Sequence, residues 1–213
     1  MKTPPQITAS ESKLSPFCDT EVWDAFRKGN EGAFQQIYSY FVGVLFSYGS
    51  KLTTDYTLVE DCVHDLFVEL WDRRVYLRET TSIKLYLFKG LKRKIVRKLI
   101  QQKNTVYTEN SHAYTFGITS SYETSLIREQ LSEEQHQKLM QAIAKLTGRQ
   151  QEVLFLRFHA NMNYEEIARL LSLNYQSVSN IMFRAMKTLR TEMSASPATS
   201  SFPLYIVLLL FLA

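Results

Sequence analysis

The sequence predicts an all-α protein: two small helical domains joined by a flexible linker, the C-terminal one a helix-turn-helix. Three observations predict it. Only 7 glycines and 5 prolines occur in 213 residues, so helical runs are seldom interrupted. Strand-like alternation is almost absent. Apolar residues recur instead every three to four positions, in one segment after another. The length suits one large domain or two small ones, and 45% apolar content with 13% aromatics is globular.

The first block, 20–103, opens with a break at Gly29-Asn30-Glu31, followed by a helix from Ala33 to Tyr48 with a broad apolar face. From Asp55 to Asp72 the residues Leu58, Cys62, Val63, Leu66, Phe67, Leu70 and Trp71 fall on one side at helical spacing. RRVYLRETTS (73–82) reads as a loop. A helix follows from Ile83 to about Gln102, with Phe88, Leu91, Ile95 and Leu99 as its apolar stripe and Lys89, Arg93 and Arg97 on another face. Residues 104–122 lose periodicity and fill with Ser, Thr, Asn and Tyr, the composition of a linker. The second block, 123–193, is helical again. A Ser/Ala/Pro hinge then leads to an apolar tail, together 194–213. No internal repeat is visible.

A net charge of +4 and a pI near 9.0 weakly favour polyanionic partners. The distribution of charge is more telling. Residues 55–72 hold six acids and no Lys or Arg; residues 83–103 hold eight Lys or Arg and no acid; residues 167–191 again lack acids. This is a pattern of separate contact surfaces. The two cysteines, Cys18 and Cys62, lie outside any CxxC, which argues against a zinc site or a disulfide scaffold and fits a reducing cytosol. The polar N-terminus is not a secretory signal. The tail FPLYIVLLLFLA would reach ~18 Å as a helix, short of the roughly 30 Å hydrocarbon core, so it is not a conventional membrane span. The expected location is cytoplasmic.

In NYEEIARLLSLNYQSVSNIMFRAMKTLR, Asn163 and Glu166 have the spacing of a capping box. Ile167, Leu171, Leu173, Val178 and Ile181 would join two short helices across a tight turn, with small Ala168 at the close approach and Asn174 as the second N-cap. That is helix-turn-helix spacing, and its second helix enters the major groove. Ser172 stands at the turn position often held by glycine. Along the second helix, Gln176, Ser179, Asn180, Phe183, Arg184 and Lys187 share a face, with Ser177 at its margin. No acid is present there, as a surface approaching phosphates requires. Gln176, Ser177, Ser179 and Asn180 suit base edges, while Arg184 and Lys187 suit backbone or guanine.

In the first block, Tyr76, Tyr86 and Phe88 interleave with Arg73, Arg74, Arg78, Lys84, Lys89, Lys92 and Arg93. Cations beside stacking rings suit single-stranded nucleic acid; Phe88, on the apolar stripe, is expected in the core. The acids Asp61, Asp65 and Asp72, flanked by Glu69 and Val68, line one face of the preceding helix. Asp61, His64 and Asp65 lack a second cluster to complete a metal shell. The four histidines are scattered and no phosphate-cradling glycine loop occurs, so neither a metal nor an organic cofactor is expected, and the chain does not read as an enzyme.

Two segments resemble a known family. EDCVHDLFVELWDRR with SIKLYLFKGLKRK resembles region 2 of bacterial sigma factors. LTGRQQEVLFLRFHANMNYEEIARLLSLNYQSVSNIMFRAMKTLR resembles their region 4. With only these two regions and a short linker, residues 20–193 are similar to the extracytoplasmic-function class of the sigma-70 family. The resemblance implies a subunit that directs core RNA polymerase to promoter DNA and assists −10 melting. It implies that Asp61, Asp65, Val68, Glu69 and Trp71 meet the clamp helices of the polymerase largest subunit. The 73–82 loop would capture a flipped −10 base, with Arg73, Arg74, Tyr76, Lys84, Tyr86, Lys89, Lys92 and Arg93 tracking that strand. Region 4 would read the −35 duplex, the linker would thread toward the RNA exit path, and a membrane-anchored anti-sigma factor would hold the protein inactive. Arg93 replaces an asparagine common in the family, and Ser179 replaces a basic residue. Three roles are open to the tail: folding back, serving as a handle for an inhibitory partner, or touching a membrane. The alternative reading is a stand-alone helix-turn-helix repressor or activator, which leaves the acidic and basic helices unexplained.

Overall fold

A computed structural model of the chain describes residues 19–103, 116–117 and 133–194, and no strand occurs among them. Four helices form the first block: α1 (Asp19–Arg27), α2 (Glu31–Leu52), α3 (Tyr56–Asp72) and α4 (Ile83–Lys103), with a single 3₁₀ turn at Arg74–Tyr76. Four more form the second: α5 (Glu133–Ala144), α6 (Gly148–Phe158), α7 (Tyr164–Leu171) and α8 (Tyr175–Ser194). The hinge and apolar tail, most of the 104–122 segment and Cys18 lie outside the described residues.

The helix starts are fixed by side-chain caps. Asn30 accepts from the Ala33 amide at the head of α2, so that helix begins before the apolar pattern does. Asp55 accepts from the Leu58 amide at the head of α3. Thr147 with Gln150, and Asn163 with Glu166, make reciprocal capping boxes on α6 and α7. Each satisfies amide donors that the first helical turn leaves without a partner.

In the first block α3 packs between α2 and α4, burying Leu58, Cys62, Val63, Leu66, Phe67 and Leu70 as the periodicity requires. Burial pushes the Cys62 thiol pKa up, as expected of an inert core cysteine. Gly49 allows the three helices to meet: a Cβ there would lie 2.6 Å from Val59 Cγ1 and 3.1 Å from Ile95 Cδ1. Across α1, Trp23 is buried and its indole Nε1 donates to the Arg78 carbonyl at 2.9 Å, tying the loop after α3 to the bundle. Phe88 is fully buried, as its place on the apolar stripe predicts.

In the second block α8 packs against α5, α6 and α7. Ser172 ends α7 in the left-handed conformation (φ 54°), so the turn takes the glycine-like geometry despite its Cβ. The two blocks also touch. Their buried side chains form one continuous apolar cluster, joined where the Tyr48, Phe116 and Phe155 rings meet at centroid distances of 5.8–6.0 Å. The Gly117 amide donates to the Lys51 carbonyl at 3.0 Å, fixing this short piece of the connecting segment against the end of α2.

Candidate nucleic-acid interface

The outward face of α8 is built by its cap and by the packing of its opposite side. Asn174 accepts from the Ser177 amide at 2.7 Å. Val178, Met182, Ala185 and Leu189 are buried, which turns Gln176, Asn180, Phe183, Arg184 and Lys187 outward, all exposed. Ser177 and Ser179 are half-buried at the edges. Gln176 Nε2 donates to Asn180 Oδ1 at 3.1 Å, so the two amides present one preset row of donors and acceptors. All six predicted residues therefore come together along one helix. The sequence assigned Phe183 no reading role, yet its ring is 69% exposed in the middle of that row. An apolar residue interrupting a polar stripe is the signal that marks it.

The second surface lies at the end of α3, the turn after it and the start of α4. Tyr76 is 87% exposed and Val75 68% exposed beside it. Tyr86 stands partly exposed with its ring edge-on to Trp23 at 5.2 Å. Burial against that indole raises the phenol pKa; Glu69 adds to the rise, and Arg73 and Arg93 oppose it. Those four side chains therefore share one patch, with exposed Lys89 on the same helix as Arg93. Arg74 is placed differently from its neighbours. Its guanidinium folds back over the Trp71 ring at 4.2 Å and Nη1 donates to the Trp71 carbonyl at 2.7 Å, so it braces the turn.

Lys84 and Lys92 are turned inward, toward the second block. Lys84 Nζ donates to the Asn161 carbonyl at 3.0 Å, and Lys92 Nζ meets Glu152 Oε1 at 3.1 Å. Burial lowers both lysine pKa values, while the nearby acids oppose the shift.

On the acidic side, Asp61, Asp65 and Asp72 are exposed, with Val68 open among them. The face is partly neutralised by α4 and by the residue that ends α3: Lys98 pairs with Asp65 at 3.4 Å, and Glu69 with Lys94 at 2.6 Å and with Arg73 at 3.1 Å. The Lys94 hydrogen bond holds the Glu69 carboxyl below its ordinary value. Trp71 is half-buried, its ring 5.0 Å from that of Phe34. Among the described residues no group of three His, Cys, Asp or Glu is gathered as a metal set would be, and no helix is long and apolar enough to cross a membrane.

A helix-turn-helix whose second helix turns Gln176, Asn180, Phe183, Arg184 and Lys187 outward, with no acid among them, has the form of a DNA-binding module. Residues 136–189, which span it, match the family described as sigma-70, region 4, in agreement with the resemblance read from the sequence. The fold as a whole is similar to that of CnrH, solved in complex with the cytosolic domain of CnrY. That match has 20% identity, covers 84% of this chain and 96% of that one, and gives a TM-score of 0.52. A second match is to the sigma factor RpoE in complex with the anti-sigma factor NepR from Bartonella quintana. There the identity is 18%, the coverage 76% of this chain and 98% of that one, and the TM-score 0.49. No curated protein matches the sequence.

Proposed function

We propose that the chain is a sigma factor of the extracytoplasmic-function type, a non-enzymatic subunit that gives core RNA polymerase its promoter specificity. The observation that carries the reading is the presence, in one chain, of a region 4 helix-turn-helix and a second, chemically different surface of exposed rings and cations. A repressor needs only the first.

In this reading α8 docks in the major groove of the −35 element. Gln176 and Asn180 supply donors and acceptors, Ser177 and Ser179 border them, Arg184 and Lys187 reach guanine or phosphate, and Phe183 offers apolar contact to thymine methyls. The loop and α4 take the melted −10 strand: Tyr76 and Tyr86 offer ring faces, and Arg73, Lys89, Arg93 and, once free, Lys84 and Lys92 take phosphates. Arg74 acts by holding the turn that carries Tyr76. Asp61, Asp65, Glu69 and Val68, backed by Trp71, dock on the clamp helices of the polymerase largest subunit. Domain limits of 20–103 and 123–193, a cytoplasmic location, a membrane-anchored anti-sigma factor and a partner or membrane contact for the apolar tail belong to the same proposal.

The test is transcription by purified core polymerase, with and without the protein, on the promoter of its own operon. Discrete protein-dependent transcripts are expected, and they would map the two elements. Specific binding of duplex DNA by the protein alone, with no association with core polymerase, would replace this reading by that of a repressor.

A further inference from the structure

The contact between the two blocks is built on one carboxylate. Glu152 is 1% exposed, and its two oxygens are divided between the domains. Oε1 accepts from the Tyr48 hydroxyl at 2.9 Å and from Lys92 Nζ at 3.1 Å, both in the first block. Oε2 accepts from Arg149 at 3.1 Å, one turn back on its own helix. Two further polar contacts lie nearer the start of α4. The Ser82 hydroxyl meets Glu166 Oε1 at 2.7 Å, while Glu166 Oε2 accepts from the Asn163 amide of the α7 capping box. Lys84 lies on the carbonyl of Asn161, a left-handed residue (φ 49°) following α6.

We infer that Glu152 is the centre of a latch that holds the free chain closed and, in doing so, occupies two cations of the −10-strand surface. The inference rests on the function proposed above for its second half, the masking of a strand site; the latch itself does not. A buried ion pair contributes less than apolar packing of the same volume, because desolvating both charges offsets most of their attraction. It does fix one register, and all its members are well hydrated once apart. A contact meant to be permanent is better made apolar, whereas one meant to open is better made of groups that water accepts. The aromatic part of the contact is the Tyr48, Phe116 and Phe155 rings. The face of α8 used for duplex DNA stays exposed throughout. The closed chain is therefore competent for duplex and impaired for single strand, and opening restores the second without changing the first.

The test compares the full-length chain with Glu152→Gln and Tyr48→Phe. Three quantities are read: radius of gyration by small-angle scattering, affinity for a short single strand from the promoter of its own operon, and affinity for −35 duplex. Helicity by circular dichroism and unchanged duplex binding confirm that each variant is folded, and Tyr48→Phe removes a latch bond without touching the second block. Loss of a charge-assisted hydrogen bond shifts an equilibrium roughly tenfold, and apparent affinity scales with the fraction in the competent state. Both variants should therefore expand, and Glu152→Gln should bind single strand up to about tenfold more tightly. An unchanged radius in both folded variants overturns the latch. Expansion with unchanged single-strand affinity overturns the masking. If neither variant nor parent binds either DNA, alone or with core polymerase, the proposed function fails, and the radius still decides the latch.

Discussion

Helices α4 and α8 carry the same kind of sequence, cations and hydrogen-bonding groups with hardly an acid between them, and the fold uses them differently. Helix α8 presents Asn180, Phe183, Arg184 and Lys187 to water, with its apolar side covered by three neighbours. Helix α4 is enclosed by α2, α3 and α7. Lys92 and Lys84 face the second block, Lys94 and Lys98 pair with α3, and Lys89 and Arg93 point outward. A basic stretch thus divides into structural and available cations according to what packs beside it, and the division follows from tertiary contacts alone.

The sharpest form of the comparison uses one residue type on each helix. Phe88→Ala on α4 deletes a fully buried ring and should cost about 3–5 kcal/mol of stability. Phe183→Ala on α8 should change stability by no more than about 0.5 kcal/mol, as surface substitutions do, while weakening −35 binding. Denaturant unfolding reads the first and duplex titration the second. Equal stability losses would mean that Phe183 packs in the folded protein. Next in size, Asn180→Ala or Arg184→Ala should lose about 1–3 kcal/mol at particular −35 positions if those residues read bases. A uniform loss over all sequences would assign them to the backbone.

How far this division was legible in the sequence depended on the range of the interaction. Features set by neighbours within a turn or two were readable: the apolar side of α3, the Asn163–Glu166 capping box, the Asn174 cap and the burial of Phe88. The start of α2 was read two residues late because Asn30 caps it ahead of the apolar pattern. Tyr76 and Arg73 are both exposed, in keeping with the expected interleaving of rings and cations, but the fold-back of Arg74 onto Trp71 was not anticipated, since two adjacent arginines look alike until the turn gives each a direction. The Glu152 contacts join residues 60 and 104 positions apart, and no periodicity encodes them. One hint existed: an acid flanking the run VLFL is a charge placed where a helix is otherwise buried.

The salt dependence of single-strand binding measures the same division. Each phosphate neutralised on a single strand adds about 0.7 to the log–log slope. Replacing Lys89 and Arg93 by glutamine should therefore lower the slope by about 1.4 in the free chain, whereas replacing Lys84 alone should leave it close to the parent value. With core polymerase present, replacing Lys84 should lower it as well. A slope unmoved by Lys89 and Arg93 would place the strand elsewhere.

The smallest expected effect probes the turn that orients α8. Ser172 holds a left-handed conformation, in which a Cβ crowds the backbone at a cost of roughly 1–2 kcal/mol; glycine removes the crowding but loses more conformational freedom on folding. The balance leaves Ser172→Gly stabilising by about 0.5–1 kcal/mol, a rise of a few degrees in melting temperature for a domain of this size. Binding to −35 duplex should be unchanged, because the Leu173 amide already donates to the Ala168 carbonyl at 2.9 Å and Asn174 already caps α8. The substitution relaxes the turn without moving it. A gain in stability accompanied by weaker or less selective duplex binding would instead show that the strain at Ser172 helps aim α8, and the two proposed nucleic-acid surfaces would then both depend on a constraint set outside their own residues.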